Sequence, residues 1–251
     1  MNVWFYVIST SVVFVFSGLL AMAGLGAAFL FVPFFYYMGL PLSEATPIAL
    51  LLNVVSLFMA AVNYGRARLI NFRMGIPIML AAVISAPLGA RLTPYVARDI
   101  LLALFAAFLV FAGFMMLFYS PQPRQKPLIS WVEVGVGIGI GIVAGFLGGL
   151  LGVGGGNFIL PVLAWMGLDP KIAAGTTAMI VVFSSFSGFL GHVSLGGLEP
   201  RFLAIMALAA GAGSLVGSYW MKTRLSSQQL KRIIGVLLWL IALKMVFDLI
   251  F

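Results

Sequence analysis

Apolar residues in this chain run in blocks of membrane-spanning length, and polar residues are confined to the short stretches between them. A bilayer's hydrocarbon core is about 30 Å thick, and about 20 mostly apolar residues of helix cross it. Blocks of that length lie near 3–23, 45–64, 74–92, 99–119, 131–150, 173–192, 202–220 and 229–249. Two shorter apolar runs, near 27–38 and 155–167, each follow a glycine-rich turn and carry Pro33 or Pro161. At about 1.5 Å of rise per residue, such a run reaches only about half of the core. They read as half-helices or re-entrant elements. The pattern predicts an all-α polytopic membrane protein of about 8–10 segments, those near 27–38 and 155–167 being short or discontinuous.

The blocks repeat. Gly24-Leu25-Gly26, then Pro33 and Gly39, match Gly152-Val153-Gly154, then Pro161 and Gly167, at an offset of 152 − 24 = 128. Arg73 falls on Arg201 and Gly89 on Gly217 at the same offset. A one-residue shift pairs Ala49 with Ala178, Asn63 with His192 and Phe118 with Phe247. An offset kept over about a hundred residues marks a duplication. The longest polar loop, Ser120 to Pro127, is rich in proline and charge. It divides the chain into a first repeat at 1–120, a linker at 121–130 and a second repeat at 131–251.

Composition strengthens the membrane reading: 63% of residues are hydrophobic and 8% charged, against about 25% charged in soluble domains. The net charge of +8 does not point to nucleic acid, because the basic residues lie in loops between apolar runs and form no polar face. If ten segments alternate sides, one side receives Arg66, Arg68, Arg73, Arg124, Lys126, Lys171, Lys222, Arg224, Lys231 and Arg232. The other receives Arg91, Arg98, Arg201 and Lys244. The first side is then cytoplasmic. Five segments per half is an odd number, so the second repeat enters the membrane upside down, as in many secondary transporters. The absence of cysteine removes disulfides, thiolate metal sites and cysteine nucleophiles. The N-terminus lacks a basic n-region and a cleavage site, and reads as the first membrane segment.

The candidate chemistry centres on the turns. Gly24 and Gly26 in the first half, and Gly152, Gly154, Gly155, Gly156 and Asn157 in the second, precede the short helices. Glycine permits sharp bends and close backbone approach, and a helix N-terminus offers free N–H donors with partial positive charge. Together they suit a small oxyanion at mid-membrane; close helix packing is the competing reading. The next segments begin with Thr46 and with Thr176-Thr177, whose hydroxyls can bond an anion or cap a helix. Asn53 lies within an apolar block, and a buried amide needs partners: another helix or the transport path. Ser184 and Ser185 fall in the comparable stretch of the second half but can bond back to their own helix. His192, the sole histidine, is a structural hydrogen-bonder or a coupling residue. Lys244 and Asp248 are spaced to pair on one helix face. Glu44, Asp99, Glu133, Asp169, Glu199 and Asp248 all fall near segment ends. Proton and cation carriers use acidic groups in mid-membrane, so anion binding by neutral donors is favoured. No metal site, cofactor or catalytic constellation can be read, and the chain is expected not to be an enzyme.

The run Gly145-Phe146-Leu147-Gly148-Gly149-Leu150-Leu151-Gly152-Val153-Gly154-Gly155-Gly156, with Pro161 and Ala174-Gly175-Thr176-Thr177, resembles the TauE/SafE family of bacterial sulfite exporters. The resemblance covers nearly the whole chain. The first copy departs from it, with Ala27 and Ala28 where Gly155 and Gly156 stand. The resemblance implies a multi-pass protein of the bacterial inner membrane exporting sulfite or a small organosulfonate. The partners expected are that anion and the lipid bilayer, with no nucleic acid; oligomeric state is unreadable. An uncoupled anion channel and a non-transporting scaffold subunit stand as alternatives.

Overall fold

The structure is a computed structural model and describes residues 3–95, 131–192 and 199–250, with scattered positions between 103 and 118. The described residues form helices α1 (Val3–Ala23), α2 (Ala28–Tyr37), α3 (Leu42–Arg66) and α4 (Phe72–Leu92). After the linker come α5 (Trp131–Leu150), α6 (Gly156–Trp165), α7 (Pro170–His192), α8 (Pro200–Arg224) and α9 (Ser227–Ile250). Five of them, α1, α3, α4, α7 and α8, are long and apolar enough to cross a membrane. The two short runs are helices of 10 residues each, about half a span at 1.5 Å per residue. Several long helices extend beyond the apolar blocks: α3 takes in Glu44, and α8 reaches Lys222 and Arg224. Capping and charged end residues continue a helix past the bilayer boundary. The linker at 121–130 and most of the segment near 99–119 lie outside the described residues.

Contacts along the helices fix their directions. Gly213 packs on Phe14 and Gly217 on Gly18, so α1 and α8 run parallel. Ser214 donates to the Ser56 carbonyl, and Asn63 Nδ2 donates to Ser218 Oγ at 2.8 Å, so α3 joins them. In a second group, Gly141 and Gly149 pack on Ile78 and Ala86, while Ser187 Oγ donates to the Val83 carbonyl at 2.7 Å. There α4, α5 and α7 run parallel. The groups oppose each other where α3 crosses α7: Asn53 meets Ser185, while Tyr64 meets Gly175. Each group mixes elements from both halves of the sequence, so neither half can form it alone.

The pairing is symmetric at a constant offset. A Cβ on Gly24 would overlap the Ala174 carbonyl, and one on Gly152 would overlap the Thr46 methyl; 24 + 128 = 152 and 46 + 128 = 174. Gly89 against Phe146 is matched by Gly217 against Gly18. These glycines carry no side chain because another backbone or methyl group fills the space, which is how small residues let helices meet closely.

The directions also sort the charges. Arg66, Arg68, Arg73, Lys171, Lys222, Arg224 and Arg232 gather at the end where α1, α3 and α8 finish. Arg91, Arg201 and Lys244 lie at the other end, with Glu44 and Glu199. Lys244 Nζ stands 5.3 Å from the centre of the Tyr37 ring there. The Asp248 side chain of the expected Lys244–Asp248 pair lies outside the described residues.

Candidate functional site

The two interrupted segments meet at the centre. The α1–α2 turn bends through Gly24 (φ 69°) and Gly26 (φ 75°), and the α5–α6 turn through Gly152 (φ 68°) and Gly154 (φ 78°). These left-handed values favour glycine. The turn hydrogen bonds are copies too: Leu25 N donates to Leu20 O at 3.2 Å, and Val153 N to Gly148 O at 2.8 Å. The second half adds Gly155 (φ 79°, ψ −6°), where the first has Ala27 (φ −107°, ψ 3°).

Asn53 joins the turns. Its Oδ1 accepts from the Ala27 amide at 2.8 Å, and its Nδ2 donates to Ser185 Oγ at 2.9 Å. It is 0% exposed. A Cβ on Gly26 would overlap Asn53 Oδ1, and one on Gly154 would lie 2.8 Å from Asn53 Nδ2. Gly156 packs on the Leu25 carbonyl, so the turns also touch each other. From this point α2 runs toward Phe202 at one end, its Phe35 ring 5.8 Å from the Phe202 ring. The other short helix, α6, lies against α7 and leads by Gly167 to the opposite end. Two half-helix N-termini, each with partial positive charge, therefore face one buried amide from opposite sides. No ionised side chain is buried among the described residues.

The remaining sequence candidates divide. Ser184 Oγ donates to the Gly154 carbonyl at 2.9 Å, holding the second turn to α7. Thr176 Oγ1 accepts from the Asn71 amide at 2.9 Å, fastening the α3–α4 loop to the start of α7. Thr46 places its methyl against Gly152. Asn157 (1% exposed) and Thr177 (0%) are buried with side-chain polar atoms that have no partner among the described residues. Gly24, Gly26, Gly152, Gly154, Gly155 and Gly156 are all buried and face protein atoms in the Cβ direction; any ligand contact from these turns is through their amides.

His192 Nε2 lies 2.8 Å from the Gly149 carbonyl. Its counterpart is not Asn63: Tyr64 Oη donates to the Ala21 carbonyl at 2.5 Å, and 21 + 128 = 149 while 64 + 128 = 192. The one-residue shift expected here is thus corrected for this helix end. Both side chains tie the last turn before a glycine bend to the end of the helix that follows the short element. Sequence reasoning missed Tyr64 and Asn71. Tyr64 was findable, because the unbroken offset lands on His192.

Glycine turns followed by half-length helices that gather on one buried polar residue, among five helices long and apolar enough to cross a membrane, give a polytopic membrane protein of transporter-like build. The pattern of the family described as Sulfite exporter TauE/SafE matches residues 10–245, and the chain belongs to that family. It is similar to Sulfite exporter TauE/SafE family protein 1 of Arabidopsis thaliana, with 42% identity over 30% of this chain and 16% of that protein. Probable membrane transporter protein YunE of Bacillus subtilis is 30% identical over 50% of this chain and 46% of its own length. Probable membrane transporter protein MJ0441 of Methanocaldococcus jannaschii is 25% identical over 69% of this chain and 67% of its own. The matched stretches thus span less than half of the first two relatives. No solved structure matches the chain. The chain is thus a multi-helix membrane protein of the TauE/SafE family.

Proposed function

We propose that this transporter exports a small sulfur-containing anion, sulfite or an organosulfonate, across a bacterial inner membrane, and performs no covalent chemistry on it. The observation that carries the reading is the meeting of the α2 and α6 N-termini on Asn53. Positive dipole ends without a buried carboxylate attract anions and repel cations. The family descriptions of the relatives supply the sulfur chemistry. The second repeat is inverted across the bilayer, in keeping with the opposed directions of α3 and α7. The end carrying Arg66, Arg224 and Arg232 is cytoplasmic by the excess of basic residues. Alternating access comes from one helix group rocking against the other about the α3–α7 crossing. Export is then downhill for a monoanion, by about 2.3 kcal/mol per 100 mV of inside-negative potential.

The test is flux from proteoliposomes loaded with sulfite or one of a panel of sulfonates. Saturable efflux of at least one of them, faster than from empty liposomes, is expected. Equal leakage from both preparations overturns the reading; currents that never saturate replace the transporter with a channel.

Topology is checked separately, because the chain has no cysteine. A thiol at Arg224→Cys should react with an impermeant maleimide only in inverted vesicles. A thiol at the exposed Tyr95→Cys should react only in intact cells. The opposite pattern reverses the assignment of sides.

A further inference from the structure

We propose that the anion is held by the second turn alone, and that Asn53 is a built-in occupant of the first; this rests on the anion reading above. The halves agree closely until the residue before each short helix, then diverge. Ala27 has φ −107° and gives its amide to Asn53 Oδ1 at 2.8 Å. The residue at the same offset, Gly155, is left-handed at φ 79° and is followed by helical Gly156. A left-handed residue followed by a right-handed one turns successive N–H groups into a concave nest, a known anion-binding shape. Alanine resists that conformation, so the first half cannot build the nest.

The two turns also differ in what faces them. At 53 + 128 = 181 the second half has Val181, whose Cγ1 lies 3.2 Å from the Cβ position of Gly154. Valine offers no oxygen, so no side chain does for Gly155 what Asn53 does for Ala27. Among the described residues no partner is found for the Gly155, Gly156 or Asn157 amides. The independent observation is the Asn157 side chain, in the first turn of α6, 1% exposed with neither Oδ1 nor Nδ2 bonded. Side chains on a helix lean toward its N-terminus, which points the carboxamide to the nest. The first half has Phe29 at this position. A buried unbonded amide is costly, and a ligand oxygen on Nδ2 removes the donor's share of that cost. With no buried cation among the described residues, the ligand fitted is a singly charged oxyanion; a dianion loses too much hydration. Both half-helix N-termini still act on it, the first through space and the second by direct bonds.

The experiment is calorimetric titration of the purified chain in detergent with methanesulfonate and with sulfate, using wild type, Val181→Asn and Asn157→Leu, and thermal melting to confirm folding. Wild type should bind one methanesulfonate per chain and bind sulfate at least about tenfold more weakly. Val181→Asn supplies the second turn with its own oxygen, and should stay folded while binding falls by about tenfold or more. Asn157→Leu should weaken binding comparably and raise the melting temperature, since an unbonded amide is removed. Two anions per chain, or undiminished binding by both folded variants, overturns the one-sided assignment and leaves the transport reading standing. If wild type binds no anion, the anion reading itself fails and this assignment with it.

Discussion

Asn53→Asp is expected to leave a folded protein that no longer transports. The aspartate oxygen can still accept from the Ala27 amide, and Ser185, which now accepts from Asn53 Nδ2, can rotate its hydroxyl to donate. The charge is also well placed for the fold, because two helix N-termini stabilise an anion there. What changes is the potential seen by the substrate. Two like charges about 4 Å apart repel by about 4 kcal/mol at an effective dielectric of 20, close to three decades in affinity. Asn53→Leu is the complementary case. It keeps the site neutral but leaves the Ala27 N–H and Ser185 hydroxyl buried without Asn53, at about 1–3 kcal/mol each. The prediction is therefore a crossed pattern: aspartate keeps the melting temperature and loses flux, whereas leucine lowers the melting temperature. Efflux from Asn53→Asp liposomes at the wild-type rate would mean that the anion never comes near the junction of the turns.

The sequence revealed the parts of this arrangement that depend on local rules. Block length located the five described helices able to cross a membrane, and the repeated Gly39 and Gly167 follow the two short helices with φ 96° and 91°. Asn53 was conspicuous because an amide in an apolar block demands partners. Its partners were not legible. Ser185 lies 132 residues away, and nothing in a single sequence separates a serine bonded across helices from one bonded to its own backbone. Tyr64 drew no reading, since an aromatic at a helix end has many bland explanations. The glycines were open between packing and binding, and the structure accounts for their missing side chains by packing, as with Gly24 on Ala174 and Gly156 on Leu25. Close backbone approach is a tertiary fact that composition only permits. Thr176 was open between an anion and a structural role, because a hydroxyl at a helix start suits either task; its Oγ1 accepts from the Asn71 amide of the α3–α4 loop.

Packing at the glycines changes what a substitution there can report. A large residue at Gly154 would be a clean binding probe only if space existed, and none does. Gly154→Ala is expected to destabilise the protein severely by two routes. An L-residue at φ 78° costs about 1–2 kcal/mol. The new methyl would also overlap Ser185 Oγ and stand 2.8 Å from Asn53 Nδ2, forcing apart the bond that joins the two helix groups. Strain of that kind adds about 1–3 kcal/mol. Gly39→Ala separates the terms, because Gly39 has φ 96° and nothing within 4 Å of its Cβ position. It should lose only the backbone part and remain an active transporter. Gly154→Ala with Ser185→Ala should regain part of the deficit, since the overlapping oxygen is gone while the dihedral penalty stays. The measurement is melting temperature in detergent for the three variants beside wild type. Equal loss in Gly39→Ala and Gly154→Ala would show that the turns tolerate a side chain at the centre, and that the α3–α7 junction is looser than the contacts around Asn53 require.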